Sequence, residues 1–225
     1  MKSIIKWPVN NFIKLLTHII LKIDLSELKT FPQEGPLLGV ANHVNFLDVP
    51  VVISHLFPRE TIGLVKRESW DKPLLAFLFN VWEGIPIDRG TADFAAFRKA
   101  VQAVKQGIIL AVSPEGTRSE TGVMQRAKAG IGILARQCDA PIIAMAYWGH
   151  EEFSKNIKRL KRTPMNIRVG KKFRLDFDQI PKNKNGMQAA ADAIMMEIAQ
   201  MLPENYRGVY TEGAYEHERY IQYLE

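Results

Sequence analysis

The sequence predicts an α/β fold with a mostly parallel central sheet flanked by helices. Short apolar runs typical of buried strands alternate along the chain with longer segments of helical periodicity. Hydrophobic residues make up 47% of the 225 residues, which is enough to form a full core. Because strands separated by helices are joined by right-handed crossovers, we expect parallel strands with helices on both faces of the sheet.

The N-terminal residues 1–24 predict an amphipathic helix that precedes the rest of the chain. Pro8 fits its first turn, and the apolar pattern continues to about Ile23. Polar residues recur at every fourth position and therefore share one side of the helix. These residues are Lys6, Asn10, Lys14, His18 and Lys22.

Two placements of this helix are open from the sequence. It either packs on the core or lies in a membrane interface, with its lysines at headgroup level and Phe12, Leu16 and Ile20 in lipid. A transmembrane helix needs roughly 18 to 20 consecutive apolar residues, and the polar positions interrupt the apolar sequence before it reaches that length. No cleavage site of a secretory signal peptide is evident either.

Six apolar runs then predict strands, and five helical patterns are interspersed with them. The strands are predicted at residues 37–41, 61–65, 84–87, 108–112, 141–147 and 166–169. The helices are predicted at about 47–56, 69–81, 91–106, 125–138 and 187–202. The span from 151 to 174 is rich in lysine and arginine, and is either a solvated face or a patch for an anionic membrane.

Polar clusters follow each of the first four predicted strands. In open parallel sheets, ligands bind beyond the carboxyl ends of the strands. The clusters are Asn42-His43, Lys66-Arg67-Glu68, Asp88-Arg89-Gly90 and the run from Ser113 to Ser119. Because the fold would bring all four to one edge of the sheet, the sequence predicts a site there.

The segment from Asn42 to Asp48 contains a candidate acid–base pair. Pro50 indicates that a helix begins near Asp48, so His43 would lie in a turn before it. A chain that doubles back could bring the carboxylate to one imidazole nitrogen and leave the other free to take a proton from a hydroxyl. Alternatively, Asp48 is only an N-cap and His43 an ordinary loop histidine.

Three cations at the same edge could hold a phosphate or stabilise a developing oxyanion: Lys66, Arg89 and Arg118. Gly116 would let backbone amides approach the anion closely. The alternative is structural, with Arg89 paired to Asp88 and Arg118 to Glu115.

The remaining features leave other classes of protein open. A net charge of +6 favours anionic partners, among them acidic lipid and nucleic acid, although no nucleic-acid motif is present. A metal hydrolase using His43, Asp48 and His55 lacks a zinc-like ligand spacing. Cys138 is the single cysteine, which excludes an intramolecular disulfide, and its apolar surroundings predict a buried structural thiol.

The chain resembles the glycerophospholipid acyltransferases, above all 1-acylglycerol-3-phosphate acyltransferase, over about residues 37–149. Four blocks of that family occur in order and with its spacing. They are N-H-x-x-x-x-D at Asn42, His43 and Asp48; Lys66 and Glu68 leading to Gly84, Ile87, Asp88 and Arg89; P-E-G-T-R-S at Pro114 to Ser119; and the apolar run Ala140 to Ala146. Ser113 and Ala144 replace the phenylalanine and proline usual in the family, which leaves acyl-chain preference open.

The resemblance implies a catalytic pair, in which His43 deprotonates the free hydroxyl of lysophosphatidic acid and Asp48 orients His43. The residues implied for binding the acceptor phosphate and its surroundings are Lys66, Arg89, Glu115, Gly116, Thr117 and Arg118. The acyl donor would be acyl-CoA or acyl-carrier protein as co-substrate, and the product phosphatidic acid in phospholipid synthesis. Another lysophospholipid, or an amphipathic alcohol or amine, is the alternative acceptor.

The resemblance also implies how the chain is organised and where it works. Residues 1–24 would be a membrane-associating helix, and 25–225 the acyltransferase domain. The protein would be membrane-associated at the cytoplasmic face, with a lipid surface, the lysophospholipid and the acyl donor as partners. We expect no cofactor, no metal and no nucleic-acid partner.

Overall fold

The structure is a computed structural model that describes residues 2–90, 93–119, 121–211, 213 and 217–225. Within these residues the helices are α1 Lys2–Ile20, α2 Asp48–Leu56, α3 Pro73–Val81, α4 Phe94–Lys105, α5 Gly130–Cys138, α6 Phe153–Lys158 and α7 Gly186–Ala199. The strands are β1 Leu21–Ile23, β2 Leu37–Ala41, β3 Thr61–Lys66, β4 Ile85–Ile87, β5 Ile109–Val112, β6 Ile142–Trp148, β7 Thr163–Leu175 and β8 Ile221–Tyr223. Short 3₁₀ turns lie at Glu27–Thr30, Arg67–Asp71, Glu204–Tyr206 and Glu218–Tyr220.

The described strands form one sheet in the order β1-β7-β6-β2-β5-β3-β4, with β8 paired to β7. Strand β2 lies between β5 and β6 and is parallel to both. Only β7 introduces antiparallel pairings among the described strands, with β6 and with β8. The predicted α/β class and the mostly parallel sheet are therefore confirmed.

Several elements differ from the prediction. Strand β7 has 13 residues rather than the four predicted at 166–169, and β1, β8 and α6 were not predicted. The helix predicted from 125 begins only at Gly130, because the backbone amide of Ala127 bonds to the Tyr210 hydroxyl and that of Lys128 to the Pro114 carbonyl. Residues 91–92 of the predicted helix 91–106 lie outside the described residues.

Two hydrophobic clusters cover the two faces of the sheet. On one face α4, α5 and α7 pack against the strands, and on the other face α2 does so. Helices α5 and α7 approach closely at Gly132, where a Cβ atom would lie 2.3 Å from the Met187 carbonyl oxygen. Cys138 is buried in the first cluster, and burial raises the pKa of its thiol to about 11, as expected for a structural cysteine.

Helix α1 packs on the protein through the side that carries Lys6, Asn10 and Lys14, where Ile13 is also buried against Ile53 and Trp82. The Lys6 ammonium bonds to Glu60 at 3.0 Å and to Glu83 at 2.9 Å. Asn10 is buried and accepts a hydrogen bond from the Trp82 indole at 3.0 Å. Lys14 donates to the Phe57 carbonyl. The lysines at these positions therefore face α2 and the loops beside it rather than lipid headgroups.

The outward side of α1 is apolar, and it carries the large hydrophobic side chains that the packing leaves exposed. They are Ile4, Ile5, Trp7, Phe12, Leu15, Leu16 and Ile19. The helix ends at Ile20 rather than near Ile23, because Leu21–Ile23 pairs in parallel with the start of β7. No helix in the described part of the chain is long and apolar enough to cross a membrane.

Candidate active site

His43 and Asp48 lie together at the carboxyl end of β2. Helix α2 begins at Asp48, and the turn before it carries His43 back over the start of the helix. The His43 Nδ1–H donates to Asp48 Oδ2 at 2.7 Å. The N-cap of α2 is Leu47, so the Asp48 carboxylate is not a cap of its own helix.

Asp48 is buried and accepts four hydrogen bonds. Besides His43, its Oδ2 accepts the backbone amides of Val44 at 2.8 Å and Asn45 at 3.1 Å. Its Oδ1 accepts the Nε2–H of His150 at 2.5 Å. Burial raises the pKa of Asp48, but the hydrogen bonds from His150 and His43 outweigh it and hold the pKa below its ordinary value. The carboxylate is therefore ionised and fixed in orientation.

The turn that carries His43 is held on its β6 side by three contacts. Asn42 exchanges two hydrogen bonds with the backbone of Tyr147, at 2.7 and 2.8 Å. Asn45 donates to the His150 carbonyl at 2.7 Å. With the bond from His150 to Asp48, the loop after β6 and the loop after β2 form one hydrogen-bonded unit.

On its β5 side, the turn is held by Glu115 and Ser119. One Glu115 oxygen accepts the backbone amide of His43 at 3.0 Å, and the other accepts that of Gln125 at 2.8 Å. The Ser119 amide donates to the His43 carbonyl at 2.8 Å. Burial raises the pKa of Glu115 to about 7, although the two amides oppose this shift. Glu115 thus joins two loops through their backbones, and its predicted part in acceptor binding stays a prediction.

A cavity of about 520 Å³ opens beside His43 and extends under α2 and α3. Most of its lining is apolar, including Leu64, Phe79 and Leu134. Small residues at matched register on three neighbouring strands also line it and leave space above the sheet. They are Gly39 on β2, Ala111 on β5 and Gly63 on β3.

Cations surround the polar mouth of this cavity. Arg89 lines it, and partial burial together with the charge of Arg118 lowers the pKa of Arg89. Among the described residues, neither guanidinium makes a hydrogen bond or an ion pair. Lys128 also lines the cavity, with its side chain beside Gly116.

The structural alternative for these arginines does not match the observed pairing. Asp88 binds Arg67 with two hydrogen bonds of 2.6 and 2.9 Å, and Glu115 accepts backbone amides instead of Arg118. Thr117 and Arg118 are exposed beside the cavity. The exposed Lys66 pairs with Glu68 at 3.3 Å and is not among the residues that line the cavity.

Two residues of this site were not predicted from the sequence, His150 and Lys128. His150 follows β6, so the rule that identified the four polar clusters applies equally to the loop that contains it. Lys128 precedes α5 at the end of a long loop, and only the fold of that loop brings it beside Gly116.

A metal hydrolase site would require His55 to lie beside His43 and Asp48. His55 lies seven residues beyond Asp48, about 10 Å along α2, and its Nε2 is 3.0 Å from the Thr17 hydroxyl of α1. No group of three or more potential ligand residues that could hold a metal ion occurs in the described ranges.

The arrangement is suited to proton transfer next to a bound anion. His43 Nδ1 is held by Asp48, which leaves Nε2 as the ring nitrogen available at the cavity where His43 forms part of the lining. An imidazole in this tautomer can accept a proton from a hydroxyl, and the neighbouring carboxylate stabilises the imidazolium that results. The arrangement therefore suits a general base better than a nucleophile.

Comparison with known proteins identifies relatives of one kind. A family model described as "Acyltransferase" matches residues 22–148, which include His43, Asp48, Arg89, Glu115 and Arg118. The chain is 31% identical over 133 residues to the 1-acyl-sn-glycerol-3-phosphate acyltransferase of Cocos nucifera, covering 57% of this chain and 43% of that protein. It is 20% identical over 192 residues to the enzyme of the same name from Bacillus subtilis, covering 85% of this chain and 94% of that protein.

A solved structure shares the fold. The crystal structure of the 1-acyl-sn-glycerophosphate acyltransferase of Thermotoga maritima superposes with a TM-score of 0.61 and 19% identity, covering 86% of this chain and 77% of that one. The chain thus spans less than half the length of the plant relative, 94% of the Bacillus subtilis relative and 77% of the Thermotoga maritima chain.

The Glu115 carboxyl should make stability depend on pH. Its folded pKa of about 7 lies above the ordinary value of 4.5, so between these values the folded protein binds more protons than the unfolded chain. Stability must then fall as pH rises through this window. We expect the free energy of unfolding of the wild type, relative to Glu115→Gln, to decrease between about pH 5 and pH 8.

The measurement is urea unfolding of both proteins at several pH values. Glutamine does not titrate, and the loss of one acceptor oxygen in Glu115→Gln changes the free energy of unfolding equally at every pH. The pH dependence of the difference between the two proteins therefore reports the Glu115 carboxyl alone. A difference that is constant with pH, or that changes in the opposite direction, contradicts the prediction.

Proposed function

This chain belongs to the acyltransferase family, and we propose that it transfers a fatty acyl group to the free hydroxyl of 1-acylglycerol-3-phosphate, forming phosphatidic acid. The observation that carries the proposal is the His43–Asp48 pair at the mouth of an apolar cavity, next to cations that make no ion pair among the described residues. Acyl-CoA or acyl-carrier protein is the proposed donor. The names of the relatives support this choice of reaction and acceptor.

The first step is proton transfer from the acceptor hydroxyl to His43 Nε2. The oxygen attacks the thioester carbonyl, and the tetrahedral intermediate collapses with cleavage of the carbon–sulfur bond. The imidazolium returns its proton to the departing thiolate, so His43 ends the cycle neutral. Asp48 stabilises the imidazolium throughout, since its carboxylate lies 2.7 Å from Nδ1. A positioned base of this kind contributes about 10²–10⁴ in rate.

The acceptor phosphate would lie between Arg89, Arg118 and Lys128. Two guanidinium groups near each other repel, and a doubly charged phosphate relieves that repulsion while accepting their hydrogen bonds. Gly116 has a φ of +71°, a conformation open to glycine, and places the backbone of this loop next to Lys128. Thr117 adds an exposed hydroxyl beside them.

The apolar part of the cavity would hold an acyl chain. Its size and lining suit a flexible hydrocarbon, and its mouth at His43 is where the thioester carbonyl must lie. The row Gly39, Ala111 and Gly63 supports this assignment, because larger side chains there would occupy the space.

We further propose that the protein works on a membrane surface at its cytoplasmic face. The outward side of α1 exposes Trp7 by 64% and Phe12 by 65%, an arrangement that is costly in water and favourable in a lipid interface. A second apolar residue, Leu160, is 94% exposed between Arg159 and Lys161 in the basic span after α6. Anionic headgroups complement those charges.

A panel of acceptors with one labelled acyl-CoA tests the reaction. We expect phosphatidic acid as the product, and a loss of about 10²–10⁴ in turnover for His43→Ala without loss of membrane binding.

Arg118→Ala should weaken use of lysophosphatidic acid by roughly 10-fold or more, because a charge-assisted hydrogen bond is lost, and should leave a monoacylglycerol acceptor unaffected.

Arg136→Ala is the matched control, since Arg136 lies in the last turn of α5 and is not part of the cavity lining. A wild-type protein that acylates no member of the panel contradicts the proposed function. Equal effects of Arg118→Ala on charged and neutral acceptors contradict the phosphate assignment.

Liposome flotation tests the membrane surface. Replacing Phe12 and Leu15 on the outward side of α1 with serine should weaken binding to vesicles of phosphatidylcholine and phosphatidylglycerol by at least roughly 100-fold, because each buried apolar side chain contributes about 1.5–3 kcal/mol. The control replaces Ile133 and Val209, which are also exposed but lie elsewhere. Equal flotation of the two variants would show that α1 does not contact lipid.

A further inference from the structure

The Asp48 carboxylate has a second imidazole partner that the proposed reaction does not use. His150 is completely buried, and its Nε2 lies 2.5 Å from Asp48 Oδ1, the oxygen opposite the one that His43 contacts. One carboxylate thus lies between two histidines. One of them faces the cavity, and the other lies behind it.

The surroundings of His150 determine its protonation state. Its Nε2–H meets an ionised oxygen, whereas its buried Nδ1 makes no hydrogen bond within the described residues. An imidazolium would need an acceptor at both nitrogens, and a buried N–H⁺ without one is costly. These surroundings therefore favour a ring with its proton on Nε2, donated to Asp48 Oδ1.

We infer that His150 is a positioning residue for this reaction, which fixes the Asp48 carboxylate so that Oδ2 remains directed at His43 Nδ1. The inference rests on the proposed function of His43. Asn45 holds the His150 backbone, so the loop after β6 carries the donor to a fixed place. Without that donor, Oδ1 would be a buried acceptor lacking a partner, and the carboxylate could rotate or take up a proton.

The groups that face Asp48 come from every neighbouring loop. They are His43 after β2, His150 after β6, Tyr147 at the end of β6 and Glu115 after β5. The two histidines donate hydrogen bonds that lower the pKa of Asp48. Burial raises the pKa of Tyr147 and of Glu115, and the charge of Asp48 adds to both shifts. Removing the His150 donor removes one of the two side-chain hydrogen bonds that keep Asp48 ionised.

The test compares two variants of similar size. His150→Gln keeps an N–H donor at nearly the reach of Nε2, and His150→Leu keeps the volume without a donor. We expect His150→Leu to lower kcat by about 10- to 100-fold with little change in KM for either substrate, since the ring touches neither. The acidic limit of its pH–rate profile should move to higher pH, because Asp48 then protonates at higher pH. His150→Gln should restore kcat and the profile to near those of the wild type.

Equal loss in both variants, or no loss in either, overturns the inference. If His150→Leu does not fold, His150→Asn replaces it, because the shorter amide stays polar but does not reach Oδ1. Histidine ¹⁵N NMR of the wild-type protein gives a readout independent of activity. A ring protonated at Nε2 is expected, and a ring that carries its proton on Nδ1 alone contradicts the inference. A protein that fails the acceptor panel yet shows this tautomer would refute the reaction but not the contact.

Discussion

The ionised carboxylate of Asp48 is the acceptor on which the rest of the candidate site depends. A buried charge is costly unless it is paired and hydrogen-bonded, and Asp48 meets this requirement with four donors from two separate loops. Two of the donors are backbone amides of the turn before α2. The hydrogen bonds that stabilise the charge therefore also stabilise this turn, which places His43 next to the carboxylate. The first turn of α2, which tolerates Pro50, supplies the fixed point from which the carboxylate projects.

The sheet topology supplies the other partners. Strand β2 has a parallel neighbour on each side, β5 and β6, and all three end at the same edge. Glu115 therefore reaches the His43 turn from one side and His150 from the other, and neither needs a long excursion of the chain. Strands β2, β5 and β3 carry the small residues Gly39, Ala111 and Gly63 at matched register, which leaves room for the apolar cavity beside them. A rigid scaffold and a loop held from both sides together give the geometry that proton transfer requires.

Much of this could be predicted from the sequence, and the omissions have identifiable causes. Apolar periodicity located the six strands of the core. The position of Pro50 made a contact between Asp48 and His43 one of two possibilities, and the resemblance to the acyltransferases favoured it. The pattern in α1 correctly grouped Lys6, Asn10 and Lys14 on one side, but periodicity does not indicate which side meets the protein; the partners, Glu60, Glu83 and Trp82, are far away in sequence. Strand β1 has three residues, too few for a pattern, and exists because β7 is beside it. His150 belongs to no motif used in the sequence analysis, and its burial depends on the packing of two loops.

In the proposed reaction, the Asp48 carboxylate sets the geometry of the catalytic base. The most direct test of this role is the rate of acyl transfer by Asp48→Asn, whose side chain has nearly the same shape but carries no charge and directs an N–H₂ group at donors. We expect kcat to fall by about 10²–10⁴, because His43 loses both its orientation and the stabilisation of its imidazolium. A turnover within a few-fold of the wild type would contradict this role of Asp48, since the site would then work without the charge that organises it.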